Sequence, residues 1–266
     1  MQRAIGIVSI KGGVGKTTAV SNLAAALANQ FNKKVLVVDA NFSAPNLGIH
    51  YGVLNPSVTI HDVLSGQNNI EEAVTSSGHG FDIIPGKLNF KGRIETLKLK
   101  EELNKIKGSY DFILIDSSPN LNHEMLATLM ASDVIFAVTT PDFPTLSCTM
   151  HAVKVAKEKK TPIGGLLLNR VYGKKFELSI DDIEKATEVP VLAVIPHDVS
   201  VLEALSKNVP AHLHKNKRDV AIGYNKLAAM LCGKKYEDTR LLSKVTGFFN
   251  KDKKKEEVNR TMFGKK

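Results

Sequence analysis

Apolar and polar positions along the chain alternate between two rhythms. Short, continuous, β-branched runs occupy 4–10, 34–39, 81–85, 111–116, 133–139, 163–169 and 191–195. Such runs suit strands covered on both faces, as in a parallel sheet with helices above and below. Between them lie longer stretches with helical spacing, at 17–30, 94–106, 124–132, 145–159 and 180–187. A further helical pattern over 217–231 closes the series. Strand–helix alternation over this length predicts an α/β fold: a doubly wound, mostly parallel sheet with helices on both faces. No repeat and no linker interrupts it before Gly233. There apolar residues thin out and lysines crowd. This divides the chain into a domain over 1–232 and a basic tail over 233–266.

Composition changes this picture in three places. No apolar run reaches the roughly 18 residues that a spanning helix needs. The first run passes straight into glycines, so it reads as a strand and not as a secretory signal. Cys148 and Cys232 stand far apart without a CxxC pair, which suits packed thiols in a reducing, cytoplasmic setting. His212 and His214 read as part of a solvated loop, not as a metal site. The net charge of +9 is uneven: residues 239–266 carry nine Lys or Arg against three Asp or Glu. A near-neutral body with a basic tail points to an anionic partner for the tail, a lipid surface, a nucleic acid or an acidic protein.

The chemistry concentrates after the first strand, in Ser9-Ile-Lys-Gly-Gly-Val-Gly-Lys-Thr-Thr18. Gly12, Gly13 and Gly15, with Val14 between them, let successive backbone N–H groups curl around an anion. The helix that starts near Lys16 points its N-terminal N–H groups at the same spot. Lys16 adds a charge for the β- and γ-phosphates, and the Thr17 hydroxyl can reach Mg²⁺, with Thr18 beside it. Ile10 sits where the strict GxxxxGK[ST] string has its first glycine, whereas KGGxGK[ST], with the additional Lys11, is met in full. Two strand ends supply carboxylates: Asp116 after Phe112-Ile-Leu-Ile, and Asp39 after Leu36-Val-Val. Either can hold Mg²⁺ directly or through water.

These residues resemble the MinD/ParA family of deviant Walker ATPases, and the resemblance runs to about residue 230. It implies a P-loop nucleotide-binding domain for ATP and Mg²⁺. It also implies a homodimer formed on ATP binding, in which Lys11 reaches the partner's phosphates. The stretch DANFSAPNLGIHYG, 39–52, resembles the family's first switch, and Asp116-Ser-Ser-Pro119 its second. Asn41 departs from the pattern, since the family usually has an aspartate there that orients the attacking water. An amide bonds a water but cannot take its proton. ATP hydrolysis is therefore expected to be slow, with Lys11, Lys16, Asp39 and Asn41 as the catalytic set. Leu166-Leu-Leu-Asn-Arg170 and Val194-Ile-Pro-His-Asp198 resemble the adenine-reading segments, which assigns Asn169, Pro196 and Asp198 to the base.

The tail sequence TRLLSKVTGFFNK, placed on a helix over about 240–250, gathers Leu241, Leu242, Val245, Phe248 and Phe249 within an arc of about 120°. Flanking lysines complete the pattern of an interfacial membrane helix, against which Gly247 counts. MinD-type members of the family end in a similar helix. The last residues, 254–266, are expected to be disordered, with Met262 and Phe263 available for a small second contact. The leading expectation is a MinD-type spatial regulator: cytoplasmic, reversibly peripheral at an anionic membrane, and acting on an unknown protein partner. A ParA-like DNA-binding partition ATPase and a nucleotide sensor with little turnover are the alternatives. Iron–sulfur relatives need clustered cysteines, which this chain lacks.

Overall fold

A computed structural model describes residues 3–238, 240 and 251–264. The membrane residues expected from the sequence, Leu241, Leu242, Val245, Phe248 and Phe249, lie outside the described residues. Among those described, eight strands form one sheet in the order β3-β4-β2-β5-β1-β6-β7-β8. They are β1 (Arg3–Val8), β2 (Val35–Ala40), β3 (Thr75–Ser76), β4 (Asp82–Ile84), β5 (Phe112–Ser117), β6 (Val134–Thr139), β7 (Ile163–Val171) and β8 (Val191–Pro196). All pairings are parallel except that of β3 with β4. The seven apolar runs of the sequence are the seven parallel strands. The two-residue β3 is too short to leave a pattern.

Successive strand residues face opposite ways, and the two faces are filled by different helices. On one face Ile5, Ile7, Val35, Val37 and Leu114 meet α1 (Lys16–Ala25) and α10 (Asp219–Leu231). Helix α1 continues as a π-helical turn over Ala26–Gln30. On the other face lie α3 (Ile60–Leu64), α4 (Leu99–Ile106), α5 (His123–Ala131), α6 (Phe143–Glu158) and α7 (Ile180–Thr187). Short helices α2 (Leu47–His50), α8 (Ser200–Leu205) and α9 (Ala211–His214) sit in the connections. His212 is not in a solvated loop: it is buried in α9, and its Nε2 bonds Asn225 Oδ1 at 2.7 Å.

The tail end also departs from expectation. Residues Lys251–Phe263 form α11, which lies along β8, an edge strand, so 254–263 is not disordered. Its polar contacts with the strand are made by side chains on backbone groups. Asn259 Nδ2 donates to Val191 O at 2.9 Å, Arg260 to Leu192 O at 2.8 Å, and Glu256 Oε1 accepts Val194 N–H at 3.2 Å. Arg260 also pairs with buried Glu256, and Phe263 packs edge-on to Phe136, 5.9 Å between centroids. Arg260→Ala leaves the Glu256 carboxylate buried without its cation, a change that costs about 3–5 kcal/mol. The expected result is α11 released from β8, read as faster amide exchange over 251–263 and at Val194. Unchanged exchange would show that the pair does not hold the helix. Among the described residues no helix is long and apolar enough to cross a membrane.

Candidate functional site

The loop between β1 and α1 leads into the first turn of α1, with Gly13 at φ 77° and Gly15 at φ 96°. Both lie in the left-handed region, which only glycine enters freely. A Cβ on Gly15 would also come within 2.4 Å of Asn169 Nδ2. That amide donates to Val14 O at 2.7 Å, so the end of β7 clamps the loop. The result is a concave row of backbone N–H groups closed by a helix N-terminus, an arrangement that accepts phosphate.

Lys16 opens α1 and is only 8% exposed. Burial holds its pKa below the ordinary lysine value, while Asp116 pulls it the other way. Asp39 and Asp116 are register partners on adjacent strands β2 and β5. Burial pushes the Asp39 carboxyl up to about 7, with the Asp116 charge adding to it and three backbone N–H bonds opposing. Burial likewise raises Asp116 to about 6, against the Thr17 hydroxyl and Lys16.

The two carboxylates are committed differently. Both Asp39 oxygens hold backbone: Oδ1 accepts Asn41 N–H at 3.1 Å, and Oδ2 accepts those of Asn46 and Leu47 at 3.0 Å each. Asp39 thus builds the loop after β2. Asp116 Oδ1 is buried with no hydrogen-bond partner among the described residues. The Thr17 hydroxyl lies between Asp116 and Asn46 Oδ1, 3.3 Å from the latter. An unpaired buried carboxylate oxygen beside a hydroxyl, under a phosphate-shaped loop, fits Mg²⁺ held with a nucleotide.

Lys11 is folded onto its own chain. Its Nζ donates to Thr145 Oγ1 at 2.7 Å and lies 3.4 Å from Asp142 Oδ1. Asn41 Nδ2 donates to Ala44 O at 2.6 Å. Pro196 ends β8, opposite Val171 of β7, and Asp198 Oδ1 accepts Ser200 N–H at 2.8 Å. Asn169, Pro196 and Asp198 therefore stand at the ends of neighbouring strands, with Asp198 serving the start of α8. Beside them Tyr172 stacks on His197 at 4.5 Å, a pair that no sequence signal marked. Asn46, Asp142, Thr145 and Glu124 also line the site without being among the residues expected from the sequence. Asp142 was open to discovery: it precedes Phe-Pro-Thr as a helix cap, and its side chain accepts Thr145 N–H.

Comparison with known proteins agrees with this geometry. A family model described as an AAA domain matches residues 2–162. The chain is 34% identical to an uncharacterized ATP-binding protein of Methanocaldococcus jannaschii, over 94% of this chain and 95% of that one. Its fold is similar to that of the septum site-determining protein MinD of Pyrococcus horikoshii complexed with Mg-ADP. That match has a TM-score of 0.82 and 32% identity, and covers 94% of this chain and 100% of that one. It is also similar to a chain of the MinC:MinD cell division protein complex of Aquifex aeolicus, with a TM-score of 0.79 and 26% identity, covering 90% and 98%.

Proposed function

The chain belongs to the MinD/ParA family of deviant Walker ATPases, and from that premise we propose that it is an ATP-dimerised switch of MinD type. It positions cellular machinery through reversible association of its basic tail with an anionic membrane, and it hydrolyses ATP slowly. The observation that carries the nucleotide part is the pairing of a left-handed glycine loop at the start of α1 with buried Lys16 and the unpaired Asp116 oxygen. The loop N–H groups and Lys16 bind the phosphates, while Thr17 and Asp116 hold Mg²⁺, which supplies charge neutralisation on the transferring phosphoryl group. Lys11, released from Thr145 and Asp142, serves the partner protomer, and the end of β7 with the β8–α8 loop faces the base. The MinC:MinD complex of Aquifex aeolicus supports a protein partner for such a switch.

Turnover is the discriminating measurement. Phosphate release by the wild-type chain, with and without anionic vesicles, is expected to be slow and to rise in Asn41→Asp. A tenfold rise corresponds to about 1.4 kcal/mol of transition-state stabilisation. The structure adds a cost to that gain. A carboxylate at 41 cannot donate to Ala44 O, so the variant should lose about 1 kcal/mol of stability. Brisk turnover by the natural chain would mean that another group positions the water.

The carboxylate pair gives a pH dependence. Asp39 and Asp116 have folded pKa values raised to about 7 and about 6. Raised carboxyl groups favour the fold below their unfolded value, near 4, and that contribution is lost as pH rises through 6–7. A divalent cation favours the charged forms. Mg·ATP binding should therefore release protons around pH 6–7 and tighten as pH rises to about 7. Calorimetry in buffers of different ionisation enthalpy reads this directly, and binding without proton release at pH 6.5 would contradict it.

A further inference from the structure

The loop between β2 and α2 hangs on three buried groups. Asp39 holds its two ends. His61, on α3, holds its second residue: Nε2 donates to Phe42 O at 2.9 Å while Nδ1 accepts Lys87 N–H at 3.0 Å, which fixes the neutral tautomer. Glu124, in the first turn of α5, takes the residue between. Its Oε1 accepts the Ser43 N–H at 2.9 Å and the Ser43 hydroxyl as well.

Helix α5 is also the continuation of the loop after β5. Asn122 caps it, with Oδ1 accepting Glu124 N–H and Met125 N–H at 3.1 Å each and the Ser118 hydroxyl at 3.0 Å. A continuous path therefore runs from Ser118, two residues beyond Asp116, through Asn122 and Glu124 to Ser43, four residues beyond Asp39. It joins the two loops that flank the phosphate site from neighbouring strands.

A pin for Ser43 needs only one acceptor oxygen. Glu124 brings two, and at 7% exposure its Oε2 is buried with no hydrogen-bond partner among the described residues. Leaving such an oxygen unpaired costs stability, so a carboxylate kept here is expected to be used in a second arrangement. We propose that Glu124 is a positioning residue for ATP turnover. Through Oε1 it ties the Ser43 loop to α5, and through Oε2 it accepts a donor from that loop once the phosphate site is filled. The two loops then close as one unit. Glu124 acts through Ser43 and its neighbours, not on the reacting atoms.

The inference rests on the ATPase reading above, and two substitutions separate its parts. Glu124→Ala removes both oxygens. Glu124→Gln keeps an oxygen for Ser43 and puts an amide nitrogen where Oε2 was. Amide exchange over 41–47, with and without Mg·ATP, is read beside equilibrium ATP titration and kcat. Without nucleotide, Ser43 exchange should be fast in the Ala variant and near wild type in the Gln variant. With Mg·ATP, protection of 41–47 should appear in the wild type and be lost in both variants. Both should bind ATP as the wild type does, with kcat lowered about tenfold. A Gln variant with wild-type protection and kcat would make Glu124 a structural pin only and overturn the proposal. So would ATP affinity falling in step with kcat. A wild-type chain that binds no ATP would instead sink the ATPase reading itself, and the proposal with it.

Discussion

Lys16→Ala is expected to show no saturable ATP binding while retaining its fold. The Lys16 ammonium is buried at the start of α1, next to Asp116, and faces the only cradle of left-handed glycines that β1 feeds among the described residues. Truncating one partner of a buried charge pair between protein and ligand costs about 2–5 kcal/mol, roughly thirtyfold or more in affinity. The fold tolerates the change because Asp116, already raised to about 6 with Lys16 holding it down, can take up a proton when its counter-charge is gone. Lys11→Ala should behave differently. Lys11 is half-exposed and pairs with half-exposed Asp142, and the buried Thr145 hydroxyl that it also bonds keeps its contacts with Asp142 and Thr140, so its loss should cost the monomer little. Monomer affinity for ATP should be kept while ATP-dependent dimerisation falls. Equilibrium nucleotide titration and sedimentation velocity test both halves. Normal dimerisation by the Lys11 variant would remove the reason for assigning it to the partner's phosphates.

What the sequence displayed was the part of the molecule held by continuous apolar burial. Ile5 and Ile7, or Val35 and Val37, are buried because helices cover both faces, and that condition writes itself as an unbroken apolar run. The glycine loop was equally visible, because left-handed φ at 13 and 15 restricts the residue type. What stayed hidden depends on partners distant along the chain. Asn169 holds Val14 across 155 residues, and Glu124 holds Ser43 across 81. Asp39 has the residue type of a metal ligand, and only the backbone path of 41–47 shows that both its oxygens also hold backbone N–H groups. Helix α11 was hidden for another reason. It docks through Glu256, Asn259 and Arg260 on strand backbone, so its polar composition read as disorder although those polar groups make the contact.

Vesicle binding is the outcome on which the membrane part of the proposed function turns. If the segment at 240–250 is an interfacial helix, Leu241, Leu242, Val245, Phe248 and Phe249 enter the headgroup boundary. Each buried side chain contributes about 1.5–3 kcal/mol at most. Each nearby basic residue adds about 1 kcal/mol on an anionic surface. Ordering the helix offsets much of this, at about 1–2 kcal/mol per residue of backbone, so a single tail should bind weakly. Two tails on an ATP dimer act together, which multiplies avidity by roughly 10²–10⁴. Co-sedimentation with vesicles should therefore require both Mg·ATP and anionic lipid, and should weaken with salt as surface charges are screened. A Phe248→Ala/Phe249→Ala chain should lose pelleting while its ATP titration is unchanged. Lys11→Ala should lose it too, through the dimer and not through the tail. Pelleting indifferent to the two phenylalanines would end the membrane assignment, and ATP-dependent binding to bare duplex DNA in its place would favour a partition ATPase.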